Sequence, residues 1–163
     1  MNESAPTIAA RPAEETDAAP IALLCGQLGY PSREEEVLRR LRLILRDADH
    51  AVLVAQVSDG RVVGWIHVFG ARLVEHDPRA EIGGLVVEER FRGRGVGQLL
   101  VREAERWARE RGHGTITVRS NVVRAQAHRF YEKLGYVTVK TQQVFRKPLG
   151  ASAPPSPGST LSS

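Results

Sequence analysis

The sequence predicts an α/β fold built on a mixed central sheet, and three observations carry that prediction. Strand-like and helix-like segments follow one another along most of the 163 residues. An apolar run, Ile82 to Val87, passes almost at once into Arg92-Gly93-Arg94-Gly95-Val96-Gly97. That glycine-rich turn then opens a helical pattern. The expected order is β-α-α-β-β-β-α-β-α-β-β, parallel where a helix crosses over and antiparallel at the hairpins.

Each element has its own signal. Thr7 to Arg11 reads as a first strand ended by Pro12. Thr16 or Asp17 caps a helix through Ile21, Leu24, Cys25 and Leu28, stopped by Gly29. Ser32-Arg33-Glu34-Glu35 has the form of a capping box, and Val37, Leu38, Leu41, Ile44 and Leu45 follow the helical period after it. Ala51–Val57 and Arg61–Phe69 read as strands joined by the hairpin turn Ser58-Asp59-Gly60. Ala71–Arg79, containing Asp77-Pro78, reads as a loop before the central strand Ala80–Val87. The next helix puts Val96, Leu99, Leu100, Ala104, Trp107 and Ala108 on one stripe, and Gly112 ends it. Thr115–Arg119 alternates as a strand. Ser120 or Asn121 caps a last helix burying Val123, Ala127, Phe130 and Leu134 and ending at Gly135. Tyr136–Lys140 and Val144–Lys147 are expected to close the sheet. The domain is thus expected over 1–149, with the Pro/Ser-rich stretch 150–163 as a disordered tail.

Composition narrows the function classes. The chain is 42% hydrophobic and 26% charged, and no window approaches the ~18 apolar residues of a membrane span. Its first residues lack the basic flank and apolar core of a secretory signal, which makes the cytoplasm the expected location. A single cysteine, Cys25, excludes an internal disulfide framework and any multi-thiolate metal site. His50, His67, His76 and His113 show no metal-ligand spacing, so no metal is expected. Residues 1–80 hold 9 basic and 12 acidic side chains, whereas 81–163 hold 14 and 7. The glycine turn therefore lies in the positive half, which suits a polyanionic ligand there and a cationic one elsewhere. With few aromatics and arginines clustered at that turn, nucleic acid is not the expected partner.

A strand feeding a glycine-rich turn at a helix start is suited to hold a phosphate. Glycines fold the backbone into a nest of N–H donors, and the helix dipole adds positive charge. A Walker loop would need Gly-Lys-Ser/Thr, and here Gln98-Leu99 follow Gly97. A dinucleotide fingerprint starting at Gly93 would need a third glycine where Gln98 stands, and it would belong in the first βα unit.

Arg92-x-x-Gly95-x-Gly97 resembles the R/Q-x-x-G-x-G/A signature of the GCN5-related N-acetyltransferase (GNAT) family. The stretch from Asn121 and Ala125 to Phe130-Tyr131-Glu132-Lys133-Leu134-Gly135-Tyr136 resembles the family's second cofactor motif, and the element order resembles the GNAT fold. The likeness covers roughly residues 6 to 148. It implies acetyl-CoA as co-substrate. The pyrophosphate would lie on Arg92, Gly93, Arg94, Gly95, Val96 and Gly97, and the pantetheine arm along Leu85, Val86 and Val87. The family's central strand is splayed by a bulge, and Gly83-Gly84 is the place expected for it.

The resemblance also implies the chemistry, direct attack of a primary amine on the thioester in a ternary complex. An alkyl ammonium near pKa ~10.4 must lose a proton first. The family's base is often a carboxylate on the central strand, which points to Glu81, eleven residues before Arg92. Alternation from Glu81 places Gly83 and Leu85 on its face. The bland alternative for Glu81 is an ion pair with Arg79 or Arg119. Tyr131 matches the tyrosine that faces the CoA sulfur and would protonate the leaving thiolate. A strand amide, Val86 or Leu85, would polarise the carbonyl. Asn121 is a cofactor contact or only a helix cap, and Trp65 and Phe69 are acceptor-pocket or core residues. The acceptor is expected to be a small molecule or protein amine, of cationic character, and the family admits a homodimer. The competing expectation is an acyl-CoA-binding or regulatory module without turnover.

Overall fold

Alternation and turn chemistry set the strands, and a computed structural model describes residues 5–120 and 123–150. They fall into two units, Met1–Arg119 and Ser120–Ser163. In the first, β1 (Ile8–Pro12), α1 (Ala18–Gln27), α2 (Glu34–Leu45), β2 (His50–Val57), β3 (Val62–Leu73), β4 (His76–Val87), α3 (Val96–Glu110) and β5 (Ile116–Val118) follow in order. The sheet order is β1-β2-β3-β4-β5. The first four strands pair antiparallel, and β5 joins β4 parallel through the α3 crossover. This is the mixed α/β sheet the sequence predicts.

Each face of the sheet is covered by helix. Ile21, Ala22, Val37 and Leu41 of α1 and α2 pack with Val52 and Val54, and Trp65 and Cys25 lean on that cluster. On the other face α3 buries Val96, Leu100, Val101, Ala104 and Ala108. A Cβ on Gly64 would meet Leu100 at 3.1 Å and Val96 at 3.4 Å, so α3 approaches β3 closely. Ile66 and Leu100 are fully buried, and truncating either to alanine removes about 2–5 kcal/mol. β1 is fastened to the entry of α1 by a bidentate pair, Arg11 to both Asp17 oxygens at 2.8 Å. Asp17 Oδ2 also accepts from the Glu14 amide at 2.7 Å.

Several expectations are corrected by the structure. Ala71–Arg79 is not a loop, because β3 runs to Leu73 and β4 starts at His76. The register is irregular between Ala71 and Leu73, and Pro78 falls within that irregularity, where strand pairing tolerates it. Ser32 does not cap α2. Its N-cap is Arg33, without a side-chain bond, while the Ser32 hydroxyl donates to the Tyr30 carbonyl at 3.2 Å.

In the second unit α4 spans Ala125–Lys133, with Arg124 rather than Ser120 or Asn121 at its N-cap. Val123, expected in its buried face, is 73% exposed. Gly135 (φ 92°) ends the helix as predicted. The closing strands are absent among the described residues, since 137–149 form neither helix nor strand. Val137, Val139, Val144 and Phe145 stand exposed and gain nothing from a ladder, and Thr141-Gln142-Gln143 lacks the glycine or asparagine of a tight hairpin. The predicted tail falls almost wholly on 151–163, outside the described residues.

Candidate functional site

The central strand parts from its neighbour at one point. β4 keeps β3 along its length but pairs with β5 only through Ala80↔Ile116, Glu81↔Thr117 and Ile82↔Val118. Just beyond lies a bulge: Val68 faces Ile82 and His67 faces Gly84, leaving Gly83 as the extra residue. Both glycines are there because aromatic rings crowd them. A Cβ on Gly84 would lie 2.8 and 2.9 Å from Trp65 ring atoms, and one on Gly83 would lie 3.2 Å from His67 Nδ1 and 3.3 Å from Phe69. The distortion thus falls where the sequence predicts it.

The bulge resets the alternation after it. Leu85 stands opposite Ile66, whose face is the α3 face, so Leu85 does not share a face with Glu81. Val86 stands opposite Trp65. The Glu88 amide donates to the Val63 carbonyl at 2.8 Å, which fixes the direction of the ladder. Two residues back, the Val86 N–H and C=O turn toward β3, and those of Leu85 and Val87 turn to the opposite edge. Among the described residues no strand covers that edge beyond Ile82. Of the two amides expected to polarise a carbonyl, Leu85 faces the open edge and Val86 does not.

The glycine turn follows directly. Phe91 is buried and anchors a short 3-10 turn, Glu89–Phe91. Arg94 and Arg61 place their guanidiniums over its ring at 5.3 and 5.5 Å. Gly93 (φ 76°) and Gly95 (φ 82°) are both left-handed, and Gly95 is the N-cap of α3. A Cβ on either would meet nothing within 4 Å, so the cradle is open to a ligand. The first amides of α3 lack intrahelical partners and carry the positive end of a fifteen-residue helix. Arg92 is exposed and donates through Nε to the Val87 carbonyl at 3.2 Å. The Val96 side chain is in the core, which leaves its backbone to the ligand. These donors fit a pyrophosphate, and the open β4 edge fits an amide-bearing arm.

On the α1/α2 face a row of residues crosses four strands: His50 opposite Phe69, Phe69 opposite Glu81, Glu81 beside Thr117. Glu81 has 13% of its side chain exposed and takes Arg119 Nε at 3.1 Å, so the expected ion pair exists. His50 Nδ1 lies 2.9 Å from His67 Nε2, and both rings pack against Phe69. Burial, reinforced by neighbouring His50, pushes the His67 imidazole down to about 4. His50 Nε2 reaches outward to Asp47 Oδ2 at 3.8 Å. Sequence reasoning missed this pair. The Ser58-Asp59-Gly60 turn carried the signal, because hairpin register from it brings the two histidines onto adjacent strands.

Tyr131 belongs to the second unit. Its ring meets Phe130 and Tyr136 edge-on at 5.0 and 5.6 Å, and burial pushes its hydroxyl up to about 12. The Tyr136 amide closes the helix end on the Tyr131 carbonyl at 3.0 Å. Asn121 lies outside the described residues. Among the described residues no group of three or more His, Cys, Asp or Glu could hold a metal, and no helix is long and apolar enough to cross a membrane.

Comparison with known proteins gives the same direction. The acetyltransferase (GNAT) family model matches residues 18–136. An aminoglycoside N(6')-acetyltransferase type 1 of Stenotrophomonas maltophilia is 34% identical over 160 residues, covering 94% of this chain and all of that one. The aminoglycoside N-acetyltransferase AAC(6')-Iy, solved in complex with CoA, superposes with a TM-score of 0.80 at 20% identity, over 91% of this chain and all of that one. The 6'-N-acetyltransferase AAC(6')-Ih of Acinetobacter baumannii gives 0.76 at 19%, over 88% of this chain and all of that one.

Proposed function

The chain belongs to the GNAT family of acetyltransferases and is an acetyl-CoA-dependent N-acetyltransferase, and from that premise we propose that its acceptor is a primary amine of a cationic small molecule of the aminoglycoside kind, acetylated by direct attack in a ternary complex. The observation that carries the acceptor class is the 34% identity to the Stenotrophomonas enzyme over 94% of this chain and all of that one. The carboxylates on and beside the His50–Glu81 row, Asp47 and Glu81, support a cation there.

In this reading the pyrophosphate lies on the amides from Gly93 to Gly97 with Arg92 and Arg94 beside them, and the pantetheine arm runs along Leu85–Val87. The Leu85 N–H polarises the thioester carbonyl. Glu81 orients the acceptor ammonium and takes its proton, directly or through one water. The amine nitrogen bonds to the carbonyl carbon, the C–S bond breaks, and the Tyr131 hydroxyl gives the thiolate its proton. Its pKa of about 12 keeps that proton in place through the neutral range. The cytoplasm is the proposed location.

Free-thiol release with acetyl-CoA and a panel of amines tests the proposal. The panel includes an aminoglycoside bearing a 6'-amine, its analogue with a hydroxyl at that carbon, a polyamine and a lysine peptide. Turnover restricted to the 6'-amine compound supports the reading. Turnover with the peptide alone replaces the acceptor, and no turnover with any amine restores the non-catalytic alternative.

A further inference from the structure

A largely shielded carboxylate that collects a proton on every turnover needs a way to lose it. Glu81 is mostly shielded, and the ion-pair partner it has among the described residues, Arg119, cannot accept a proton. Two imidazoles stand on the same face of the sheet. His67 sits between two polar directions: Nδ1 is turned toward the β4 bulge, 3.2 Å from where a Cβ on Gly83 would be, and Nε2 is 2.9 Å from His50 Nδ1. His50 in turn directs Nε2 to Asp47, half-exposed at the surface. Phe69 holds both rings in place, with centroids 5.2 Å from His50 and 5.6 Å from His67. His67, His50 and Asp47 form a file from the bulge to solvent, and Glu81 stands on the same face of the sheet, opposite Phe69.

We propose that His67 and His50 are a proton relay that carries the proton collected at Glu81 out to Asp47 and bulk water. The inference rests on the acetyl-transfer reading and on Glu81 as the base. The step balances without any change of oxidation state. The Glu81 O–H breaks as a proton passes, through a bridging water, to His67 Nδ1. The His67 Nε2–H is surrendered to His50 Nδ1, and the His50 Nε2–H to Asp47 or water. The rings then return to their starting tautomers. A ring whose own pKa lies near 4 does not store the charge, which suits a conduit rather than a base. Of the other charges nearby, Arg72 pairs with Asp49 at 3.8 Å and Arg119 with Glu81, while Arg79, two residues before Glu81 on β4, keeps a buried Nε without a hydrogen-bond partner.

Steady-state kinetics across pH on the full chain, with an amine that the wild type acetylates, tests the relay. His50→Gln should lower kcat by about 10²-fold, the low end for a lost proton-transfer group, with KM for acetyl-CoA unchanged. Added imidazole should restore part of the rate in His50→Ala. In the Glu81→Gln background His50→Gln should cost nothing more, since both act on one proton. If His67→Gln fails to fold, the half-exposed His50 variants and ring-nitrogen NMR of the wild type still decide. The relay requires one shared proton between the rings, with His67 neutral at pH 6. Independent titration of both rings, a wild-type rate in His50→Gln, or additive losses with Glu81→Gln each overturn the relay while leaving the acetyltransferase reading intact. A wild type that turns over no amine overturns both.

Discussion

Glu81 Oε1 lies 3.1 Å from Arg119 Nε, an ion pair that joins β4 to β5 where the two strands separate. Glu81 pairs with Thr117, Ile82↔Val118 is the final rung, and Arg119 follows it. The carboxylate therefore has two available roles, fastening the fork and serving the acceptor amine. They are separable by experiment.

Glu81→Gln keeps the shape and removes the charge and the base. The rate profile should move to higher pH, where more of the acceptor is already neutral, because an alkyl ammonium is deprotonated only near ~10.4. Initial rates from pH 6 to 10 decide it. An unmoved profile leaves Glu81 as a clamp between strands, with water or the substrate itself as the base.

Tyr131→Phe removes the proton donor and retains the ring contacts with Phe130 and Tyr136. Turnover should fall by roughly 10²-fold with acetyl-CoA affinity little changed. The phenol is held up to about 12, so wild-type kcat should show no alkaline limb from Tyr131 below that pH. Unchanged turnover in the variant removes Tyr131 from the mechanism.

Gly84→Ala tests why the bulge is glycine. The added methyl would meet the Trp65 ring at 2.8 and 2.9 Å, an overlap that costs about 1–3 kcal/mol if the ring must shift. Urea midpoints should show the loss, and Trp65→Leu in the same chain should recover part of it. If the double variant is no more stable than Gly84→Ala, the ring is not what the glycine accommodates.

These residues also mark how far the sequence could be read. Gly93 and Gly95 were legible because a left-handed turn at a helix start is a local demand, satisfied almost only by glycine. The Gly83-Gly84 bulge was legible as a place, but its effect on Leu85 was not, since one extra residue inverts every later side chain. The β3–β4 hairpin was hidden by Asp77-Pro78, which reads as a breaker until the irregular register beside it is known. The closing strands erred the other way: Val137, Val139, Val144 and Phe145 alternate well, yet alternation without a burying surface forms no ladder. The His50–His67 pair depends on cross-strand register, which periodicity within one strand does not contain.

Arg92→Glu and Arg94→Glu should each weaken CoA binding, with a loss that shrinks as salt is raised, because both side chains are exposed beside the glycine turn. Arg94→Glu also gives up the contact over Phe91. Calorimetry with CoA at two ionic strengths checks this. Wild-type affinity in both variants would refute the pyrophosphate assignment.

Asp17 is buried, receives Arg11 through two bonds of 2.8 Å and accepts the Glu14 amide at 2.7 Å. The Arg11 hydrogen bond holds its carboxyl below the ordinary range, against the burial that would raise it. A depressed folded-state pKa means the unfolded chain binds the proton first. The stabilisation is therefore complete above the unfolded value near ~3.9 and is lost as pH falls through the lower folded value. His67, held near 4 against an ordinary 6.5, withdraws stability earlier, between those two values, because the unfolded ring charges while the folded one resists. The urea midpoint should accordingly fall in two stages. His67→Phe should flatten the stage between pH 6.5 and 4, and Asp17→Asn the stage below it. At neutral pH Asp17→Asn should cost about 1–3 kcal/mol, the range for leaving a buried partner unsatisfied, with Arg11 still partly hydrated. A single stage that neither variant alters would show that these groups do not control the acid transition.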